Sequence, residues 1–140
     1  VPAEGVPFLV KALGVTPREV HRARDLLVVL DSAQAVRGLK PEMDKLARLE
    51  EYLGVIVSAR GDDVDFVSRF FALRAGIPED PVTGSSHCTL IPFWAERLGK
   101  TRLHALQVSQ RGGELFCEDR GKRIGIAGRA VLYLEGEITV

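Results

Sequence analysis

The sequence offers little that would tie it to a metal, a membrane or a nucleic acid. It holds two cysteines, Cys88 and Cys117, and no Cys-x-x-Cys pair, so a zinc ribbon or dithiol motif has no starting point. Both cysteines sit in apolar stretches and read as small buried hydrophobes. Nothing supports a disulfide, and the default compartment is a reducing cytoplasm. No apolar run approaches about 20 residues, which argues against a transmembrane helix, and no signal peptide is visible. The formal net charge is zero, which argues against nucleic acid or an acidic membrane as the main partner. The histidines, His21, His87 and His104, are not spaced as a metal set, and no Cys or carboxylate completes one, so no metal is expected. There is no Gly-x-Ser-x-Gly elbow and no Gly-x-Gly-x-x-Gly after a strand. Neither a hydrolase serine nor a dinucleotide site is indicated.

What is present is ordinary globular material. The 140 residues are 46% apolar and 27% charged, enough for one domain with a real core. Val1 to Pro7 reads as a linker, with something expected before it. Val6 to Leu13 has helical spacing and stops at Gly14. Thr16-Pro17-Arg18-Glu19 carries the signals of a helix start. Leu26 to Leu30 reads as a buried strand. Asp31 or Ser32 caps a helix from Ala33 to Leu39, and Pro41 opens another to about Leu49. Leu53 to Ala59 and Val64 to Phe71 form a hairpin. After Gly99, strands are expected at Leu103–Ser109, Glu114–Glu118, Arg123–Ala127 and Ala130–Glu135, joined by Gly-rich turns. The fold class is α+β, with mostly antiparallel strands around one buried helix.

The chemistry concentrates between Ile77 and Gly99. Pro81 biases Asp80 toward extended backbone, so its carboxylate is presented from a defined loop. Thr83-Gly84-Ser85-Ser86 follows, a small-residue turn in which Ser85 or Ser86 is a suitable N-cap. An apolar helix then runs from Cys88 to Leu98 and is expected to be buried on nearly all sides. Its first N–H groups lack helical partners and suit an anion such as a carboxylate. A carboxylate beside such a turn can act as an acid/base group and substrate clamp. The plainer alternative is an Asp-Pro turn followed by a capped core helix. Pro92 costs one helical bond and has no evident reason. His87 reads as a packed or capping histidine rather than a reactive one. Arg69 and Arg74 flank the loop and could meet an anion, though solvated arginines are the default.

Two stretches carry a wider resemblance. Val64-Asp65-Phe66-Val67-Ser68-Arg69-Phe70-Phe71, and then Gly76-Ile77-Pro78-Glu79-Asp80-Pro81-Val82-Thr83-Gly84-Ser85-Ser86-His87, closely resemble the phenazine-biosynthesis (PhzF-like) isomerase family. That family's signature is Asp-Pro-x-Thr-Gly-Ser-Ala-His after an Arg-x-Phe strand. The tail from Arg111-Gly112-Gly113-Glu114 to Leu134-Glu135-Gly136 is also similar. Ser86 departs from the usual Ala, and Leu73 stands where Pro is common.

The resemblance implies the diaminopimelate-epimerase-like fold, in which two similar lobes each wrap a sheet around a central helix. The active site lies between the two helix N-termini and uses neither cofactor nor metal. It implies proton transfer on small carboxylate-bearing substrates, with Asp80 as the catalytic carboxylate of the second lobe and Thr83, Gly84 and Ser85 binding substrate. Only the C-terminal lobe is matched, so residues 1–140 are expected to be a single domain lacking its N-terminal lobe, with the last strand a candidate to pack on that lobe. Dimers are common in the family. The alternative function is a non-catalytic single-lobe module that binds small acids or another protein; a phosphate binder using the same helix start is a third.

Overall fold

The computed structural model describes residues 5–139. The chain folds as α1 (Gly5–Leu13), β1 (Glu19–Arg22), β2 (Leu26–Val29), α2 (Ala33–Arg37), α3 (Met43–Leu46), β3 (Val55–Arg60) and β4 (Phe66–Ala72), then β5 (Ile77–Asp80), α4 (Gly84–Leu98), β6 (Arg102–Gln107), β7 (Gly113–Asp119) and β8 (Ile124–Ala127). All eight strands belong to one sheet, in the order β1-β2-β3-β4-β6-β7-β8, with β5 also on β4. Among the described residues only β2–β3 and β4–β6 are parallel. The α+β class with a mostly antiparallel sheet is as expected.

The sheet is covered on both faces. On one side α1, α2 and α3 bury Leu9, Leu13, Val36 and Leu46 against Val28, Val57 and Phe71. On the other, α4 buries Leu90, Ile91 and Trp94 against Ile56, Phe66, Leu103 and Leu115. The two-sided burial of β3 and β4 explains why both read as nearly continuous apolar runs. Trp94 stacks on Phe66 and donates its Nε1–H to Ser58 Oγ at 2.9 Å. That bond satisfies the one polar group of a buried indole.

Several local expectations change. The linker is shorter than expected, because Gly5 already begins α1; residues 1–4 lie outside the described residues. Residues 19–22 form a strand, not a helix. Arg18 N–H donates to Val29 O, and Glu19 to Arg22 pair with β2. A helix squeezed between Pro17 and Leu26 would be too short to repay its nucleation, and tertiary pairing wins. The Glu19 carboxylate then forks onto Arg97 at the end of α4, at 2.6 and 2.8 Å. That pairing, more than the neighbouring His21, holds the carboxyl down at about 2. The helix opened by Pro41 shrinks to Met43–Leu46.

Burial of α4 is one-sided. Gly84, Ser85, Cys88, Pro92 and Glu96 form an exposed strip. Cys88 is therefore exposed, contrary to expectation, while Cys117 is buried and its thiol is pushed up to about 11 by that burial. The strip also accounts for Pro92. The bond that it forfeits, to the Cys88 carbonyl, lies on the side where water replaces it. The expected last strand is absent. Residues 128–139 join no strand in the described chain; Arg129 pairs with Glu114 at 3.1 Å, while Val131, Leu132, Tyr133 and Leu134 are 80–97% exposed.

Candidate active site

The sheet forks beside β4. One half of that strand's edge, Phe66 to Ser68, pairs with Ala105 to Gln107 of β6. The other half carries β5, with Phe70 opposite Asp80 and Ala72 opposite Ile77. Asp80 and Gln107 therefore arrive from different strands on either side of residue 69. The loop Pro81–Thr83 leaves through the gap and turns into α4. Ile77–Asp80, read from sequence as loop, is thus a strand that fixes the carboxylate's place.

Arg69 sits at the fork and is not an anion site. Its guanidinium makes a bidentate pair with Glu79 at 2.6 and 2.9 Å and donates to Leu39 O at 2.6 Å. It ties β5 to the end of α2. Arg74 is also committed, to the carbonyl of Glu50.

The hydroxyl of Thr83 donates to Asp80 Oδ2, and among the described residues none donates to Asp80 Oδ1. Gln107, buried to 1% exposure, holds the loop with three bonds. Its Oε1 accepts Thr83 N–H at 2.7 Å, and its Nε2 donates to Asp80 O at 2.7 Å and to Thr83 Oγ1 at 3.0 Å. Sequence reading missed this residue, since a lone glutamine at a strand end carries no local signal. The brace continues at Ser109, which donates to Pro81 O at 2.8 Å and accepts Gly112 N–H at 3.0 Å. Gly113 is needed for contact: a Cβ there would lie 2.1 Å from Val82 Cγ2 and about 3.2 Å from its Cβ. Arg111-Gly112-Gly113 is therefore the support under the Asp80 loop.

Thr83, not Ser85 or Ser86, is the N-cap of α4, and its side chain makes no capping bond. The hydroxyl that would cap is spent on Asp80 and Gln107. Ser86 Oγ instead turns back to Thr83 O at 3.0 Å. His87 is fully buried, with Nδ1 2.7 Å from the same carbonyl, so Nδ1 carries the proton and donates. Burial pushes its imidazole below the ordinary 6.5 and keeps it neutral. The histidine thus anchors the first turn, as the packing reading held. Gly84 and Ser85 are exposed at the helix start with their N–H groups uncapped. Uncapped N–H groups and the positive end of the helix dipole favour an anion there.

A groove of about 760 Å³ runs along β6–β8, lined by Lys100, Arg102, His104, Phe116 and Ile126, and none of Asp80, Thr83, Gly84 and Ser85 lines it. Among the described residues no group of His, Cys, Asp or Glu could hold a metal ion, and no helix is long and apolar enough to cross a membrane.

Known proteins resemble this chain in sequence and fold. The sequence profile of the PhzC-PhzF family, described as phenazine biosynthesis-like protein, matches residues 11–136. Two uncharacterized isomerases of Pseudomonas aeruginosa are 56% and 47% identical, each over 93% of this chain and 50% of their own length. A crystal structure of a phenazine biosynthesis protein of the PhzF family from Enterococcus faecalis superposes with a TM-score of 0.90 at 44% identity. It covers 100% of this chain and 53% of that one. A putative PhzC/PhzF protein from Clostridium difficile gives 0.85 at 41% identity, over 100% and 52%. The chain spans about half the length of the curated relatives it matches. On this profile match and these identities, the chain belongs to the PhzC-PhzF family of phenazine-biosynthesis-like proteins.

Proposed function

We propose that this chain is the C-terminal lobe of a cofactor-independent isomerase that moves a proton on a small carboxylate-bearing substrate. The observation that carries the reading is the Asp80 carboxylate, held through one oxygen by Thr83 beside the uncapped start of α4. In this reading Asp80 takes or returns the proton, and its unbonded Oδ1 is the oxygen that faces substrate. A general acid/base group must come within hydrogen-bond reach of the proton it moves. Gly84 and Ser85 bind the substrate carboxylate through backbone N–H groups and the Ser85 hydroxyl, while Thr83 contributes by holding Asp80. The reaction proposed needs no metal or cofactor.

A second acid/base group, on the opposite side of the substrate, belongs to an N-terminal lobe that this chain does not contain. Two features support that partner. Gly84 and Ser85 of the site are exposed, and residues 128–139 expose Val131, Leu132, Tyr133, Leu134 and Ile138. An apolar stretch of this size is normally covered by a protein surface. We place the protein in the cytoplasm, as a homodimer of two-lobe subunits.

The test is proton exchange from D2O into small carboxylic acids by the protein with both lobes present. Exchange is expected, and Asp80→Asn should lower kcat by about 100-fold or more, the scale of general acid/base catalysis. Full activity in Asp80→Asn would overturn the role of Asp80. Carboxylate binding without any exchange would favour the non-catalytic binding module.

A further inference from the structure

The buried amide of Gln107 has only one orientation that its partners accept. Thr83 N–H can donate only to an oxygen, so the atom 2.7 Å from it is Oε1. The other terminus is then the NH2 group, which reaches Asp80 O at 2.7 Å and Thr83 Oγ1 at 3.0 Å. A hydroxyl has one hydrogen to give. Thr83 Oγ1 already accepts from Gln107, so its hydrogen goes to Asp80 Oδ2. The same commitment leaves α4 without a side-chain cap.

We propose that Gln107 is a positioning residue of the site. It sets the direction of a hydrogen-bond relay, from Gln107 Nε2 to Thr83 Oγ1 to Asp80 Oδ2, which pins one carboxylate oxygen and leaves Oδ1 for the substrate. Gln107 touches no reacting atom in this scheme and acts through Thr83. The proposal rests on the reading of Asp80 as the acid/base group, and its geometry can be tested apart from that reading.

Gln107→Glu separates the relay from packing. It keeps the shape and the acceptor for Thr83 N–H, and replaces the donor NH2 with an oxygen. Proton NMR of the unsubstituted protein should show a slowly exchanging Thr83 hydroxyl and two protected Gln107 side-chain amide protons. In Gln107→Glu the hydroxyl should exchange faster by about ten-fold, the scale of one net hydrogen bond. Backbone amides away from residues 80–84 and 107 should stay in place. In the two-lobe protein the same variant should lower kcat by about 100-fold, the cost of a small misplacement, with KM within about two-fold. An unchanged hydroxyl exchange rate overturns the relay. Should Gln107→Glu not fold, the unsubstituted protein still decides, because a Gln107 amide proton exchanging at the free rate overturns the relay as well. Absence of proton exchange into any substrate by the unsubstituted two-lobe protein, with the slow hydroxyl present, overturns the reading of Asp80 and not the relay.

Discussion

Two regions of this chain are built on opposite terms. The loop from Asp80 to His87 is short and mostly polar, and nearly every buried polar atom in it has a named partner on β6, on the following turn or within α4. The segment from 128 to 139 is rich in large apolar side chains, and within the described chain it joins no strand, with Arg129 on Glu114 as its tie. Burial alone would rank them the other way, since apolar residues are the usual core. The contrast shows what each region is fitted to. The loop is tied to its own chain by hydrogen bonds. The tail leaves its large apolar side chains uncovered by the described chain.

The largest effect should come from Gly113→Ala. Rotating Val82 does not clear the new methyl, because the Val82 Cβ itself would lie about 3.2 Å away. The loop backbone must shift, at a cost of about 1–3 kcal/mol, typical of overpacking. Chemical denaturation checks the cost. A cost near zero would mean that the loop is looser than its hydrogen bonds indicate.

The next effect is that of pH. His87 is buried with its imidazole held below the ordinary 6.5. The unfolded chain then binds a proton that the folded chain refuses. Stability should be full above about pH 7 and fall as the pH drops through 6.5 toward the lowered folded value. The slope from this group is at most about 1.4 kcal/mol per pH unit. Denaturation midpoints measured from pH 8 to pH 5 in the natural protein and in His87→Gln give the comparison. Equal slopes would mean that His87 does not remain neutral.

The smallest effect on stability is expected from Leu132→Ser combined with Leu134→Ser. Both residues are about 80% exposed, so the chain should change by less than about 0.5 kcal/mol. Self-association and binding of an apolar dye should fall, as exposed apolar stretches drive both. A loss of several kcal/mol would show that the tail packs on the rest of this chain after all.

Much of this was legible in the sequence. Asp80-Pro81 and Thr83-Gly84 announce a presented carboxylate and a helix start because proline, glycine and hydroxyl residues act through local geometry. Gly14 and Gly99 end helices as read, both with positive φ. The misses share a cause. Glu19–Arg22 became a strand because β2 was there to pair with, and Arg69 was taken up by Glu79. Gln107 gained its role from a loop on the far side of α4. None of these is a property of the local sequence. Cys88 was misplaced because α4 reads as apolar all round, while the sheet covers only one of its sides.

The fork at β4 has a consequence for how the molecule assembles. Strand β5 returns to β4 through a short connection, so Asp80 can reach its place early, at small loop-closure cost. Strand β6 pairs with β4 only across the whole of α4, a contact of much longer range and slower to close. The carboxylate and the glutamine that steadies it are therefore joined late in folding. A chain caught before that step would hold most of its secondary structure and none of its relay.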